Sequence, residues 1–549
     1  MNLIGGILAN KLSFYPFILG FLYTIYCQYK YKNVLVRFDK FQKFILIYVA
    51  ITFISLIIGL YNYQYYDLVI SGPVTQIEKL PKLIELLKGF GINADAKLLT
   101  ALWMIARVIK GVLSEVIYAF GGAYMIYCWY HDDWQIALKI LVKGVLVSLV
   151  VVFGYSVIEV FYLAGNETAK NVLEVITPYF HIIKADGTWH PPLLWKNSLR
   201  SLFSEASHYG IYFAFAMPIL WYVFFEIKKS ILKLLILTSI TVFTFGLFLT
   251  QARTAIALLL GEIFLFAIAI LILRNRAIFL KFIAILLCSL FAFGLCNVFI
   301  SNYLPIKTTS TVKVVNNQVK QNKENNKLKV KNENNKSQTK DKVINKKVFE
   351  STNDQKNDKD IINKNQINAY FEKNLFSLAS LNKRSNGARY SVMIADFKIG
   401  IDHPLLGVGM GLRNAYIPEY LPEMAKDNGE VKMWIKNQKE KGVLRSGFPK
   451  FGEYTSRFAE TGILGLVVFL TAPIILMRKL YYKITDKESV VNDKIPYVFF
   501  AISLIGIMVS GIGDNINITY CYWVLLGLGY AMCFGKTSNK ESETKINNE

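Results

Sequence analysis

Residues 254–273 read TAIALLLGEIFLFAIAILIL, an unbroken apolar run in which Glu262 is the single charged side chain. A helix rises about 1.5 Å per residue, so a run of this length reaches across roughly 30 Å, the hydrocarbon thickness of a bilayer. It lacks the polar stripe that a surface helix of a soluble protein turns toward water. A membrane span is the expected reading. Arg253 stands immediately before the run, and Arg274 and Arg276 follow it.

Outward from this block the pattern repeats at 13–28, 44–61, 98–128, 136–163, 209–227, 232–250, 277–300, 463–480, 497–512 and 518–534. At roughly 20 apolar residues per span, the chain is predicted to be an all-α, polytopic transmembrane helix bundle of about eleven spans, in a range of about ten to twelve. Composition agrees, with 53% hydrophobic and 14% aromatic residues in 549 and a mean hydropathy of +0.35. The first apolar block lacks a small-residue cleavage site and is expected to remain as a span. The six cysteines lie in or beside apolar segments, without the spacing of a disulfide framework or a zinc site.

The formal charge of +23 would suit nucleic acid only on a soluble basic domain, and no such domain is evident, so no nucleic-acid partner is expected. The cations fall instead into short clusters: Lys30, Lys32, Arg37, Lys40 and Lys43; Lys228, Lys229 and Lys233; Arg274, Arg276 and Lys281; Arg478, Lys479 and Lys483. Under simple alternation all share one side, which the lysine and arginine asymmetry makes the cytoplasm. The other side then carries 62–97, 165–208, the link at Arg253 and the long segment 301–457. An eleven-span chain begins outside, and a twelfth span would place its start inside. The expected organisation is an N-terminal transmembrane bundle (1–300), a large extracytoplasmic loop (301–457), C-terminal transmembrane helices (458–535) and a cytoplasmic tail (536–549). Within the loop, 307–368 is lysine- and asparagine-rich and too poor in apolar surface to offset its ordering entropy, so it reads as a disordered insert, with 384–457 as the ordered part containing short helices.

Ionisable residues inside apolar runs are costly, so each is a functional candidate. Arg107 and Lys110 lie three apart on one helical face, where they suit an anionic lipid head, or else neutralise Glu115, Glu159 or Glu262 between packed helices. Three outer segments add further charge. LRSLFSEASHYG (199–210) carries Arg200, Glu205 and His208; LTQARTA (249–255) carries Arg253; RYSVMIADFKIGIDHPLLGVGMG (389–411) opens on Arg389 and closes on a glycine-rich turn whose backbone can approach a ligand.

The order of these motifs, followed by Glu460-Thr461-Gly462 at a late span, resembles the O-antigen polymerase and O-antigen ligase superfamily over residues 199 to about 470. Arg389 and Gly400 match the arginine-to-glycine spacing of polymerases; Arg200 to Gly210 is one residue short. Ligases carry a His-Asn pair ahead of the Glu-Thr-Gly helix, where Phe451 and Gly452 stand here, and Ala206 and Ala252 replace a usual proline and serine. The resemblance implies a multi-pass protein of the bacterial cytoplasmic membrane, transferring an undecaprenyl-pyrophosphate-linked oligosaccharide at the extracytoplasmic face. Its implied partners are that lipid-linked glycan, the lipid bilayer, a chain-length regulator and a flippase. Arg200, Arg253 and Arg389 are candidates for the pyrophosphate, joined by Arg107 and Lys110, because guanidinium forks bind phosphate oxygens more strongly as charge develops. Glu205 is the first candidate base for the acceptor hydroxyl and His208 the second; a salt bridge from Glu205 to Arg200 is the alternative. Nothing resembles a nucleotide-sugar site or a carboxylate metal cluster, so the reaction is expected to need no metal or cofactor. A ligase that moves the glycan to lipid A core or protein, a non-enzymatic flippase and a membrane anchor are the competing readings; a flippase would show related halves with charges on both faces.

Overall fold

The computed structural model describes residues 14–31, 35, 37–73, 77, 80–93, 95–180, 197–304, 384–517 and 519–535. The insert expected to be disordered (307–368) and the expected tail (536–549) lie outside them. Among the described residues all regular structure is helical. In chain order the helices are α1 (Phe14–Lys30), α2 (Asp39–Tyr61), α3 (Tyr66–Ile70), α4 (Leu80–Gly89), α5 (Ala96–Glu115), α6 (Gly121–Tyr130), α7 (Trp134–Leu163), α8 (Glu167–Phe180) and α9 (Ala206–Glu226). They continue with α10 (Ser230–Leu249), α11 (Arg253–Leu273), α12 (Arg276–Tyr303), α13 (Arg384–Asp402), α14 (Arg413–Tyr420), α15 (Gly429–Lys441), α16 (Glu453–Thr485), α17 (Val491–Ser510) and α18 (Tyr520–Phe534).

Among the described residues eight helices are long and apolar enough to cross a membrane: α2, α7, α9, α10, α11, α12, α16 and α17. The other three expected blocks are helical without meeting that measure. α1 and α18 have 17 and 15 residues, and block 98–128 divides into α5 and α6 around a π-helical turn, Val116–Phe120. Helix is the outcome wherever lipid offers the backbone no partner, because it closes every peptide hydrogen bond locally. Within the bundle α9 and α17 are central, with 83% and 72% of their apolar windows buried against 28–44% for the other six. Ser503 ties the two, donating to the Phe215 carbonyl at 2.8 Å.

The bundle has two unlike ends. At one, Lys281 reaches the Phe225 carbonyl, and Lys479 lies over the Phe534 ring. At the other, the 384–457 segment folds onto α2 and α5 through a second apolar core that includes Leu56, Leu60, Val392, Ile399, Ile417 and Trp434.

α16 is interrupted where it meets this segment. Gly462 has φ 63° and ψ −166°, which a side chain would not tolerate, and the break frees backbone groups that residues 404–409 take up. Ile463 N donates to Pro404 O (2.8 Å), Val408 N to Ala459 O (2.9 Å) and Gly409 N to Glu460 O (3.0 Å). The Ser55 hydroxyl adds a bond to Glu460 O at 2.7 Å. A Cβ on Gly407 would lie 2.5 Å from Ala459 O, and one on Gly59 would lie 2.1 Å from Val408 O. The glycine-rich turn therefore brings backbone against backbone, where the sequence reading had it free to approach a ligand.

Candidate active site

Four chain-distant segments meet at the loop-covered end. Glu205 stands at the N-terminus of α9 in extended backbone, and His208 follows in the first turn. Gly210, also in that turn, packs so tightly on α11 that a Cβ would lie 2.6 Å from the Ala255 Cβ, which brings Arg253 alongside. α13 then delivers Arg389, whose Nη2 donates to Glu205 Oε2 at 3.0 Å; the two side chains keep 27% and 29% of their surface exposed, enough for a ligand to reach them. The Arg389 guanidinium carbon lies 4.9 Å from the centre of the Phe451 ring, a cation–π contact that fixes its plane. Ser204 Oγ and His208 Nδ1 are 2.7 Å apart.

The fourth segment is the turn after α17, which contributes Asp514. Burial raises its carboxyl above the usual aspartate range; Arg389 and His208 pull it partly back, and Glu205 adds to the rise. Asp514 thus shares one electrostatic environment with all three. The sequence reading did not single it out. Its signal was an acid in a short link between two late apolar blocks, on the same side as the other loops.

Residues 234–470 match the model of the O-antigen ligase family. The matched segment runs from α10 into α16. The match supports the resemblance to the O-antigen polymerase and ligase superfamily, whose members are associated with glycosyl transfer in polysaccharide assembly. Comparison with curated proteins and with solved structures returns no match. The matched segment contains Arg253, Arg389 and Phe451, whereas Glu205 and His208 precede it and Asp514 follows it.

Around this cluster the remaining candidates separate. Arg253 lies in electrostatic reach of Tyr390, the neighbour of Arg389, and so borders the cluster. Arg200 does not join it: the side chain is buried beside Glu159 and Tyr155, and Glu159 accepts the Arg200 and Ser201 backbone N–H groups at 3.0 and 2.5 Å. The partner of Glu205 is accordingly Arg389, not Arg200, because the Arg200 loop is pinned inward. Arg107 donates to the Leu444 carbonyl at 2.7 Å, and Lys110 is exposed on the same helix. Neither pairs with Glu115, which Arg457 meets at 3.4 Å in a buried network that also holds Tyr48, Glu453 and Asn517. Glu262, packed against Gly506, has no hydrogen-bond partner among the described residues.

Two further ion pairs in the matched segment hold structure. Arg413 grips Asp396 through Nε and Nη2 at 2.8 and 3.1 Å, and Lys450 meets Glu460 at 2.6 Å. Glu460 also accepts from Gly411 N at 3.2 Å, so the acid of the Glu-Thr-Gly motif secures the turn.

Proposed function

We propose that the protein polymerises undecaprenyl-pyrophosphate-linked oligosaccharide repeat units into a surface polysaccharide, by glycosyl transfer at the outer face of the bacterial cytoplasmic membrane. What carries the reading is the part-exposed pair of Arg389 and Glu205, beside His208 and Asp514 at one end of the bundle. The lysine and arginine asymmetry supports an extracytoplasmic position for that end.

The acceptor hydroxyl oxygen attacks the anomeric carbon while the bond from that carbon to the pyrophosphate oxygen breaks. The bonding pair leaves on the pyrophosphate, and the hydroxyl proton passes to a base. Arg389 binds the developing charge with Arg253 at its side, two planar donors whose hold tightens as charge grows. Asp514 is the base, since burial makes its carboxylate a better proton acceptor than an ordinary aspartate. Glu205 is occupied by Arg389 and orients it; His208 supports the Asp514 carboxylate electrostatically.

Phe451 and Gly452, where ligases carry a His-Asn pair, favour polymerase over ligase. The ligase reading is second and rests on the description of the matched family. Deleting the gene and resolving the surface glycan on a gel separates them: single repeats support polymerase, unlinked long chains support ligase, and loss of all surface glycan supports a flippase.

A further inference from the structure

At the end of the bundle opposite Arg389, a cavity of about 600 Å³ lies between α2, α6, α16 and α18, a volume in the range of small-molecule sites. Its polarity is graded. Arg37 just before α2, Lys40 in its first turn and Lys479 on α16 stand at one end of it, with Asp39 as the single acid among its lining residues. From Lys479 the wall runs through Ile475 to Thr471, two helical turns or roughly 12 Å, and on α2 it passes from Lys40 to Phe44 over one turn. Phe534 closes the side, its ring centre 5.4 Å from Lys479 Nζ.

Cations that only snorkel toward water would leave no cleft behind them, and an aqueous anion site would not continue into a wall of Phe44, Ile475 and Phe534. A cationic mouth over an apolar shaft suits an amphiphile with an anionic head. We propose that this cavity holds one anionic phospholipid of the leaflet at that end, with its phosphate among Arg37, Lys40 and Lys479 and an acyl chain along Ile475 and Phe44. The net excess of two positive charges at the mouth complements a phosphodiester and discriminates against a zwitterionic head, each basic group near the surface contributing about fivefold in binding.

The test is a lipid titration of the purified full-length chain, read by native mass spectrometry with phosphatidylglycerol, phosphatidylcholine and undecaprenyl phosphate as probes. One phosphatidylglycerol should be retained in preference to the other two. Lys40→Gln with Lys479→Gln should weaken it roughly thirtyfold, about fivefold per lysine, and Lys479→Gln alone supplies the single step should the pair not fold. Ile475→Trp, which fills the shaft and leaves the cations, should abolish the preference. Equal retention of phosphatidylcholine, stronger retention of undecaprenyl phosphate, or an unchanged preference in Ile475→Trp would each overturn the assignment.

Discussion

Helix α13 carries two members of arginine–carboxylate pairs, Arg389 and Asp396, seven residues and so two turns apart on one face. Their surroundings are opposite. Asp396 and Arg413 are 0% and 3% exposed and bonded at two points; Ser456 donates to the same carboxylate at 3.1 Å, and the Phe448 and Pro449 carbonyls take other guanidinium protons. Arg389 makes one contact with Glu205, keeps an open edge, and shares its field with His208 and Asp514. A saturated pair has no capacity left for a ligand and serves to hold the loop on the bundle. The unsaturated pair retains donors to offer to a pyrophosphate.

The widest effect expected from this contrast is at Asp514. Asp514→Asn should lower chain extension of a synthetic lipid-linked repeat by about 10²–10⁴-fold, the usual contribution of a positioned base. In the unaltered protein, activity should fall on acidification at a pH above the ordinary aspartate range, because the raised carboxyl takes up its proton there and ceases to accept another. Asp514→Asn should flatten that limb. A limb that survives in Asp514→Asn and vanishes in Glu205→Gln would return the base to Glu205.

Arg413→Ala tests the scaffold side. Leaving Asp396 charged, buried and unpaired should cost about 3–5 kcal/mol of stability, seen as loss of the folded protein from membranes or a lowered unfolding midpoint. A fully stable variant would erase the distinction between the two pairs.

Arg389→Lys and Arg253→Lys keep the charge and lose the planar fork. Each should reduce the rate roughly 30- to 1000-fold, or about 2–4 kcal/mol in the barrier, with stability altered by less than about 1 kcal/mol because the groups are part-exposed. Unimpaired turnover in Arg389→Lys would take α13 out of the chemistry. Arg107→Gln, by contrast, should change activity only a few-fold, since its bond to Leu444 lies on the exposed face of α5. The smallest effect is expected from shortening the insert between Lys313 and Asn365, which should leave glycan length unaltered on a gel; collapse at normal protein abundance would give the polycation a role.

Much of the candidate site was legible one residue at a time. Arg253, Glu205 and His208 are polar groups at the margins of apolar runs, a placement that composition alone makes conspicuous, and Arg389 opens the patterned stretch of the long loop that ends in the glycine-rich turn. Arg200 had the same appearance and belongs elsewhere, because its side chain is buried beside Glu159 on α7, a contact that nothing near Arg200 in the sequence announces. Asp514 escaped for the converse reason: a single acid in a short link gains meaning only from the groups around it.

By itself, the sequence determined that the chain is helical, where its apolar blocks lie and which short links collect the cations. Those are local matters, since each run in lipid must close its own backbone hydrogen bonds and its length and flanks follow from composition. Tertiary structure alone decided which acid meets which base. Arg389 and Glu205 are 184 residues apart, and their meeting depends on Gly210 admitting Ala255 at contact distance and on residues 404–409 docking into the break at Gly462. Such pairings arise from the fit of whole helices, which no run of neighbouring residues encodes.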